Sequence, residues 1–348
     1  MSGTWESQNK VLPGAYINFR TNAPLSITPG ARGVAVILQE MNVGTAGEMY
    51  RITATDTSKY PDGISAAQKL LVNEALKGAQ TVILYNLGTV PADDVVLEDA
   101  LEALQTLDFN AVAYPYTGST YTTNQGTIKT WIDAMRNDEG KNIQAVLAGS
   151  AGDFEGVINV TKGVKLADGT ALTVAQCTAW VAGITAGANI NQSNTGRKYE
   201  GAIDVVPRMT KLEMETAIAA GEFIFKVDTA QNVTVVYDIN SLTTVTTDKG
   251  PVFKKNRVIR TIDGINNDIA EIYESNYIGK VNNNEDGRSL LRATLIEYFN
   301  QLQSMGAIQN FVPDDVTVEA GTASDAVVIT CRIQPVDSIE KIYITVNL

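Results

Sequence analysis

The sequence predicts an α/β fold, α+β overall: a parallel α/β middle region, a C-terminal α+β domain, and extended N- and C-terminal β arms. Three observations carry that expectation. Between residues 32 and 149, continuous apolar runs alternate with helical patterns. Two long amphipathic patterns lie beyond residue 250. Strand-like apolar segments stand at both ends of the chain. Continuous apolar strands separated by helices are the pattern of a parallel sheet covered on both faces.

The elements follow in order. Residues 33–38 read as a buried strand. Ser65 and Gln68 form a capping box opening a helix with Ala67, Leu70, Leu71, Ala75 and Leu76 as apolar positions, and Gly78 is its expected stop. Residues 81–85 are the next strand, 93–105 a helix with Leu97, Leu101 and Leu104 on one face, and 110–114 a strand. A third helix carries Ile128, Trp131, Ile132 and Met135, and 143–148 closes the series. Residues 150–250 are more mixed. Segments 157–160 and 164–166 suggest a short hairpin. Thr173 with Gln176, and Thr210 with Glu213, open two more helices, the second ending near Gly221. Segments 223–227 and 233–237 alternate as another hairpin. Val258, Ile262, Ile265, Ile269 and Ile272 mark one long helix; Leu291, Leu295, Phe299 and Leu302 mark a second. A strand follows at 326–333, and 339–346 alternates with period two. The chain thus divides into an arm at 1–30, an α/β domain at 31–195, an α+β domain at 196–334 and a β arm at 335–348.

Composition excludes more than it identifies. The 348 residues include no histidine and two cysteines, and the net charge is -12. Ser-His-Asp and Cys-His catalysis and His-ligated metal sites are therefore excluded. Lys and Arg total 27 against 39 Asp and Glu, which argues against a nucleic-acid binder. Cys177 and Cys331 are far apart, and read as buried reduced thiols. The opening residues lack the basic and apolar regions of a signal peptide, and no apolar run approaches the roughly 18 residues that span a bilayer. Synthesis in a reducing cytoplasm, without membrane insertion, is the expectation.

Nucleotide fingerprints are absent. Residues 149–152 read as a strand-end turn. Residues 282–287 imitate half a calcium loop, but Ala293 stands where a bidentate Glu is required. Asp93, Asp94, Glu98, Asp99 and Glu102 fall in the first turns of a helix, where the macrodipole favours anions, and read as a solvated face. No catalytic residue, metal or cofactor is assigned. Lys249, Lys254, Lys255, Arg257 and Arg260 form the one basic stretch, at a helix start where the dipole disfavours cations. A partner contact and an ordinary solvated face both remain open for it.

Both ends carry apolar residues where tails are usually polar. The first has Trp5, Val11, Leu12, Tyr16, Ile17 and Phe19, and the second Ile339, Ile342, Tyr343, Ile344 and Val346. They pair either within one subunit or with neighbouring subunits by strand addition. Exchange between non-equivalent patches does not close on itself and propagates as a helical assembly.

The opening GTWESQNKVLPGAYINF, followed by ARGVAVILQEM, resembles contractile tail sheath proteins of the PBSX-like prophage and R-type bacteriocin (diffocin-like) group. The order of α/β region, helix pair and terminal strand fits along the whole chain. The resemblance implies a structural subunit without an active site. It would stack as hexameric rings around an inner tail tube, on a baseplate and below a terminator or collar. The resemblance also implies contraction from a metastable extended state, in a phage tail or tail-like particle released on lysis. The two arms would link adjacent subunits, the α/β domain would face outward, and the C-terminal domain would face the tube. Lys254, Lys255, Arg257 and Arg260 would then hold the tube through weak ionic contacts. The alternatives are a soluble α/β enzyme forming an arm-swapped oligomer, and a tail-tube or capsid component.

Overall fold

A computed structural model describes residue 30 and residues 32–56, 58–89 and 94–346. Trp5, Val11, Leu12, Tyr16, Ile17 and Phe19, expected in the first arm, lie outside the described residues. The α/β half runs β1 (Val34–Gln39), β2 (Met49–Thr53), α1 (Ala66–Leu76), β3 (Thr81–Asn86), α2 (Asp94–Gln105), β4 (Ala111–Ala113), α3 (Thr122–Asn137), β5 (Gln144–Ala148) and β6 (Val157–Val160). It continues through β7 (Gly163–Leu166), β8 (Ala171–Leu172), α4 (Val174–Gly187), β9 (Ala202–Val206), α5 (Lys211–Ala219), β10 (Glu222–Phe223), β11 (Phe225–Val227) and β12 (Val233–Val235). The last part holds α6 (Asn256–Ile272), α7 (Glu285–Ser304), β13 (Ile308–Gln309), β14 (Val316–Ala320), β15 (Val327–Cys331) and β16 (Gln334–Pro335).

Seven strands form the central sheet in the order β10-β6-β5-β4-β1-β3-β2, parallel throughout except that β2 runs against β3. The pleat sends Ala35, Ile37, Val82, Leu84, Ala111 and Ala113 to the face covered by α1 and α4. Val36, Leu38, Ile83, Tyr85, Val112 and Tyr114 go to the face covered by α2 and α3. Two covered faces explain why these strands read as continuous apolar runs. The capping boxes at Ser65, Thr173 and Thr210 all form with the expected partners. Glu98, Asp99 and Glu102 stand exposed on α2, and Asn284 caps α7 as the helix-start turn requires.

Helix α4 is apolar on all sides and lies buried between the sheet, α1 and the strands β7 and β9. Its crossing with α1 is made by glycine. A Cβ on Gly183 would stand 2.1 Å from the Ala75 carbonyl oxygen, and one on Gly187 would stand 1.9 Å from that of Gly78. A Cβ on Gly78 would likewise stand 2.5 Å from the Ile184 amide nitrogen. Gly78 follows the C-cap Lys77, as expected of the helix stop. It has no positive φ, and what requires glycine there is the backbone approach of α4.

Three other expectations are corrected, one of them in part. Segments 157–160 and 164–166 do not form a hairpin. β6 is buried between parallel β5 and β10, whereas β7 turns away to pair with β8 and β9. The hairpin expected from 223–227 and 233–237 forms between β11 and β12, while β10 joins the central sheet. Tyr199, Ala202, Val205, Phe225, Val233 and Val235 share one core with α4. Cys177 is buried, but Cys331 is only half-buried, on β15.

The separate third core joins Ile190 to Ile265, Leu295, Tyr298, Phe299, Leu302, Ile308, Phe311 and Val316. Over α7 lies the antiparallel pair β14–β15, whose first strand the sequence reading did not mark. Residues 339–346, expected as a strand, form no strand pairing in the described chain.

Adding a methyl group at the glycine crossing forces backbone apart. Gly183→Ala and Gly187→Ala are each expected to lower unfolding stability by about 1–3 kcal/mol in urea titrations. Gly126→Ala, in an exposed turn of α3 where a Cβ meets nothing within 4 Å, is expected to raise it by about 0.5–1 kcal/mol.

Candidate assembly site

The surroundings of α6 are set by one buried carboxylate. Asp238 accepts the Asn194 amide at 2.8 Å and the Asn256 side-chain amide at 2.9 Å, and the Arg260 Nη2 stands 3.5 Å away. The Asp238 carbonyl also accepts the Asn256 backbone amide at 3.0 Å. Three segments distant in sequence thus meet at the first turn of α6. Arg260 is 1% exposed and also donates to the Gln192 carbonyl. Burial pulls its pKa below the ordinary arginine value, opposed by the Asp238 charge.

Further along α6, Asp263 takes two hydrogen bonds from Arg136 of α3, at 2.8 and 2.7 Å. This forked pairing locks α6 to the α/β body. Asp268 accepts the Gly30 amide at 3.0 Å and the Tyr298 hydroxyl at 2.7 Å. Arg32 donates to the Ala188 carbonyl at 3.2 Å; burial and then the Arg260 charge bring its pKa down to about 10, against the pull of Asp263 and Asp268.

The other end of α6 grips the C-terminal segment. The Val336 amide donates to the Ala307 carbonyl at 2.9 Å, beside the β13–β16 pair. Arg257 donates to the Ser338 hydroxyl at 2.6 Å and to the Gly306 carbonyl at 3.3 Å. Lys255 pairs with Glu340, stands 3.2 Å from Asp337, and lies 4.1 Å over the Tyr237 ring. The Lys255 pKa is lowered by burial, but the bonds to Glu340 and Tyr237 and the two carboxylate charges outweigh this and raise it overall. Glu340 also accepts the Thr195 hydroxyl at 2.6 Å and the Ser193 hydroxyl at 3.2 Å, leaving its side chain 6% exposed. Thr195 in turn accepts the Asp238 amide at 2.9 Å.

The expected basic patch is therefore not what the subunit holds. Arg260 has no surface to offer a tube, and Lys255 and Arg257 are spent on the chain's own C-terminal segment. Lys254 donates to the Thr243 carbonyl at 2.7 Å, and Lys249 pairs with Glu155 at 2.5 Å. The conflict with the helix dipole was the signal. What it marked was an internal anchor whose acidic partners lie far along the chain.

Ile339 beside the anchor, and Ile342, Tyr343, Ile344 and Val346 past it, are between 74% and 90% exposed. An apolar cluster this exposed, on residues without a strand partner in the described chain, is the feature an interaction surface would show. A sheet edge is open in the same unit among the described residues, since β15 has β14 on one side and no described strand on the other. Among the described residues no group of three or more Cys, Asp or Glu could hold a metal ion. The Cys177 thiol is pushed up to about 12 by burial.

Removing one partner of a buried pair leaves an uncompensated charge. Arg260→Met is expected to cost about 3–5 kcal/mol of unfolding stability. Arg260→Met combined with Asp238→Asn is expected to recover part of that loss in the same titration.

Residues 32–87 match the tail sheath protein Gp18 domain III N-terminal region, 92–241 the phage tail sheath central domain, and 248–348 the phage tail sheath C-terminal domain. The chain is 37% identical over 258 residues to phage-like element PBSX protein XkdK of Bacillus subtilis, across 72% of this chain; it spans about half, 55%, of that relative's length. The crystal structure of the sheath tail protein from Desulfitobacterium hafniense superimposes with a TM-score of 0.84 at 35% identity, covering 95% of this chain and 99% of that one. A chain of the anti-feeding prophage helical sheath in its contracted state shares the fold, with a TM-score of 0.74 at 17% identity, over 97% and 99% of the two chains. From the three consecutive domain matches and the near-complete overlap with a sheath tail protein, the chain belongs to the phage tail sheath protein family.

Proposed function

We propose that the chain is the subunit of a contractile sheath that polymerises as stacked six-membered rings around an inner tube. In this reading the sheath stands on a baseplate below a terminator or collar, and is made in the bacterial cytoplasm. It shortens from a metastable extended state to drive the tube through a bacterial envelope. The observation that carries it is the C-terminal segment, anchored firmly to α6 and then exposing five large apolar side chains with no partner. The contracted helical sheath of similar fold supports it.

Magnitudes explain why such a segment waits for a neighbour. Burying the four large apolar side chains of residues 341–346 is worth about 6–12 kcal/mol, at about 1.5–3 each. Ordering the six residues 341–346 costs about 6–12 kcal/mol. The two nearly cancel on a bare surface. A sheet edge adds backbone hydrogen bonds and side-chain pockets, and strand addition then wins. The open edge of β15 in a second subunit is such an acceptor. Residues 1–30 are proposed as the second link, the α/β body as the outward face and the C-terminal unit as the tube-facing one. The stored energy of the extended state resides in lattice contacts, so no bond chemistry is required.

Removal of residues 341–348 is expected to leave a folded subunit, by circular dichroism and unfolding midpoint, that forms neither rings nor tubes in negative-stain micrographs. Removal of residues 1–20 is expected to do the same. Unchanged polymers from either would show that the deleted arm is not a link.

A further inference from the structure

The C-terminal segment leaves the body at a single buried carboxylate. Up to that point it is held at every step: Val336 by the Ala307 carbonyl, Asp337 by Lys255, Ser338 by Arg257, and Glu340 by Lys255, Thr195 and Ser193. Ile339, within this run, points out and is 88% exposed, while Glu340 points in with its side chain 6% exposed. Beyond Glu340, residues 341–346 make no hydrogen bond to the rest of the described chain.

Such an anchor sets two quantities. The first is reach: six extended residues span about 20 Å, so an acceptor edge must lie within about that distance of the Glu340 site. The second is parity. Alternate side chains of a strand point to the same face. With Glu340 held inward, Ile342, Ile344 and Val346 share its face of an extended strand, and Lys341, Tyr343 and Thr345 take the other. A slip by one residue would exchange the aliphatic face for the mixed one.

We infer that Glu340 is the register pin of the C-terminal strand. Held by Lys255, Thr195 and Ser193, it fixes where the strand leaves the subunit and which face, carrying Ile342, Ile344 and Val346, meets the sheet of a second copy of this chain. It is a positioning residue and need not itself touch the neighbour. The inference rests on the proposed role of residues 341–346 as an inter-subunit strand.

Trypsin reads the anchor directly, because Lys341 follows it and the protease cleft must take the residues just before the cut. In the full-length, unassembled chain, Glu340→Ala is expected to speed release of residues 342–348, followed by mass spectrometry, by about tenfold. Equal rates in the wild type and Glu340→Ala would overturn the anchor. The register is read by insertion. One alanine placed between Glu340 and Lys341 is expected to raise the concentration needed for pelletable polymer by about tenfold or more, and two alanines to return it to within about threefold. One- and two-residue insertions that behave alike would overturn the register role and leave the strand itself standing. Normal polymerisation after removal of 341–348 would instead overturn the strand reading, whatever the cleavage rates.

Discussion

The architecture of the C-terminal half depends on the buried Asp238 carboxylate. It collects an amide from the 189–195 turn, a side chain from the head of α6 and the guanidinium of Arg260, groups that have no other reason to meet. Desolvating such a pair is costly, and hydrophobic residues of similar volume often serve stability as well. What a carboxylate adds is direction: each oxygen accepts from a defined donor, so the first turn of α6 has one orientation. Lys255 and Arg257 project from that turn, and the C-terminal segment is held where they point. Local interactions at one atom pair thereby determine where the chain offers an apolar strand several residues away.

The two halves of the molecule are built on different physics. In the α/β body, apolar pleats meet apolar helices, and a glycine-lined crossing lets α1 and α4 approach until their backbones touch. Around α6, ionic contacts take over: Arg136 with Asp263, Arg260 with Asp238 and Lys255 with Glu340, with half-buried Arg32 in the field of Asp263 and Asp268. Shape fixes the body. Charge geometry fixes the parts that join body, α6 and C-terminal segment.

What the sequence revealed follows the same division. Capping boxes at Ser65, Thr173 and Thr210 and the leucine spacing at 97, 101 and 104 are local signals, and each formed as read. The position of Gly78 was legible but its cause was not, because Gly183 and Ile184 press on it from a helix a hundred residues later. The basic stretch at 249–260 was conspicuous against the helix dipole, yet its partners were invisible: Glu340 lies 85 residues beyond Lys255. Period-two alternation at 339–346 marks a segment with no strand partner in the described chain, and alternation cannot say which chain would supply one.

Helix α6 receives the described chain at both extremes, Gly30 at Asp268 and the C-terminal segment at Lys255 and Arg257. Thirteen residues of helical rise, about 20 Å, separate the two attachment points. A helix is nearly inextensible on that scale, so α6 acts as a ruler between the two attachment points. Within one subunit their spacing is constant, and a movement of Gly30 relative to Glu340 requires one of the two attachments to break.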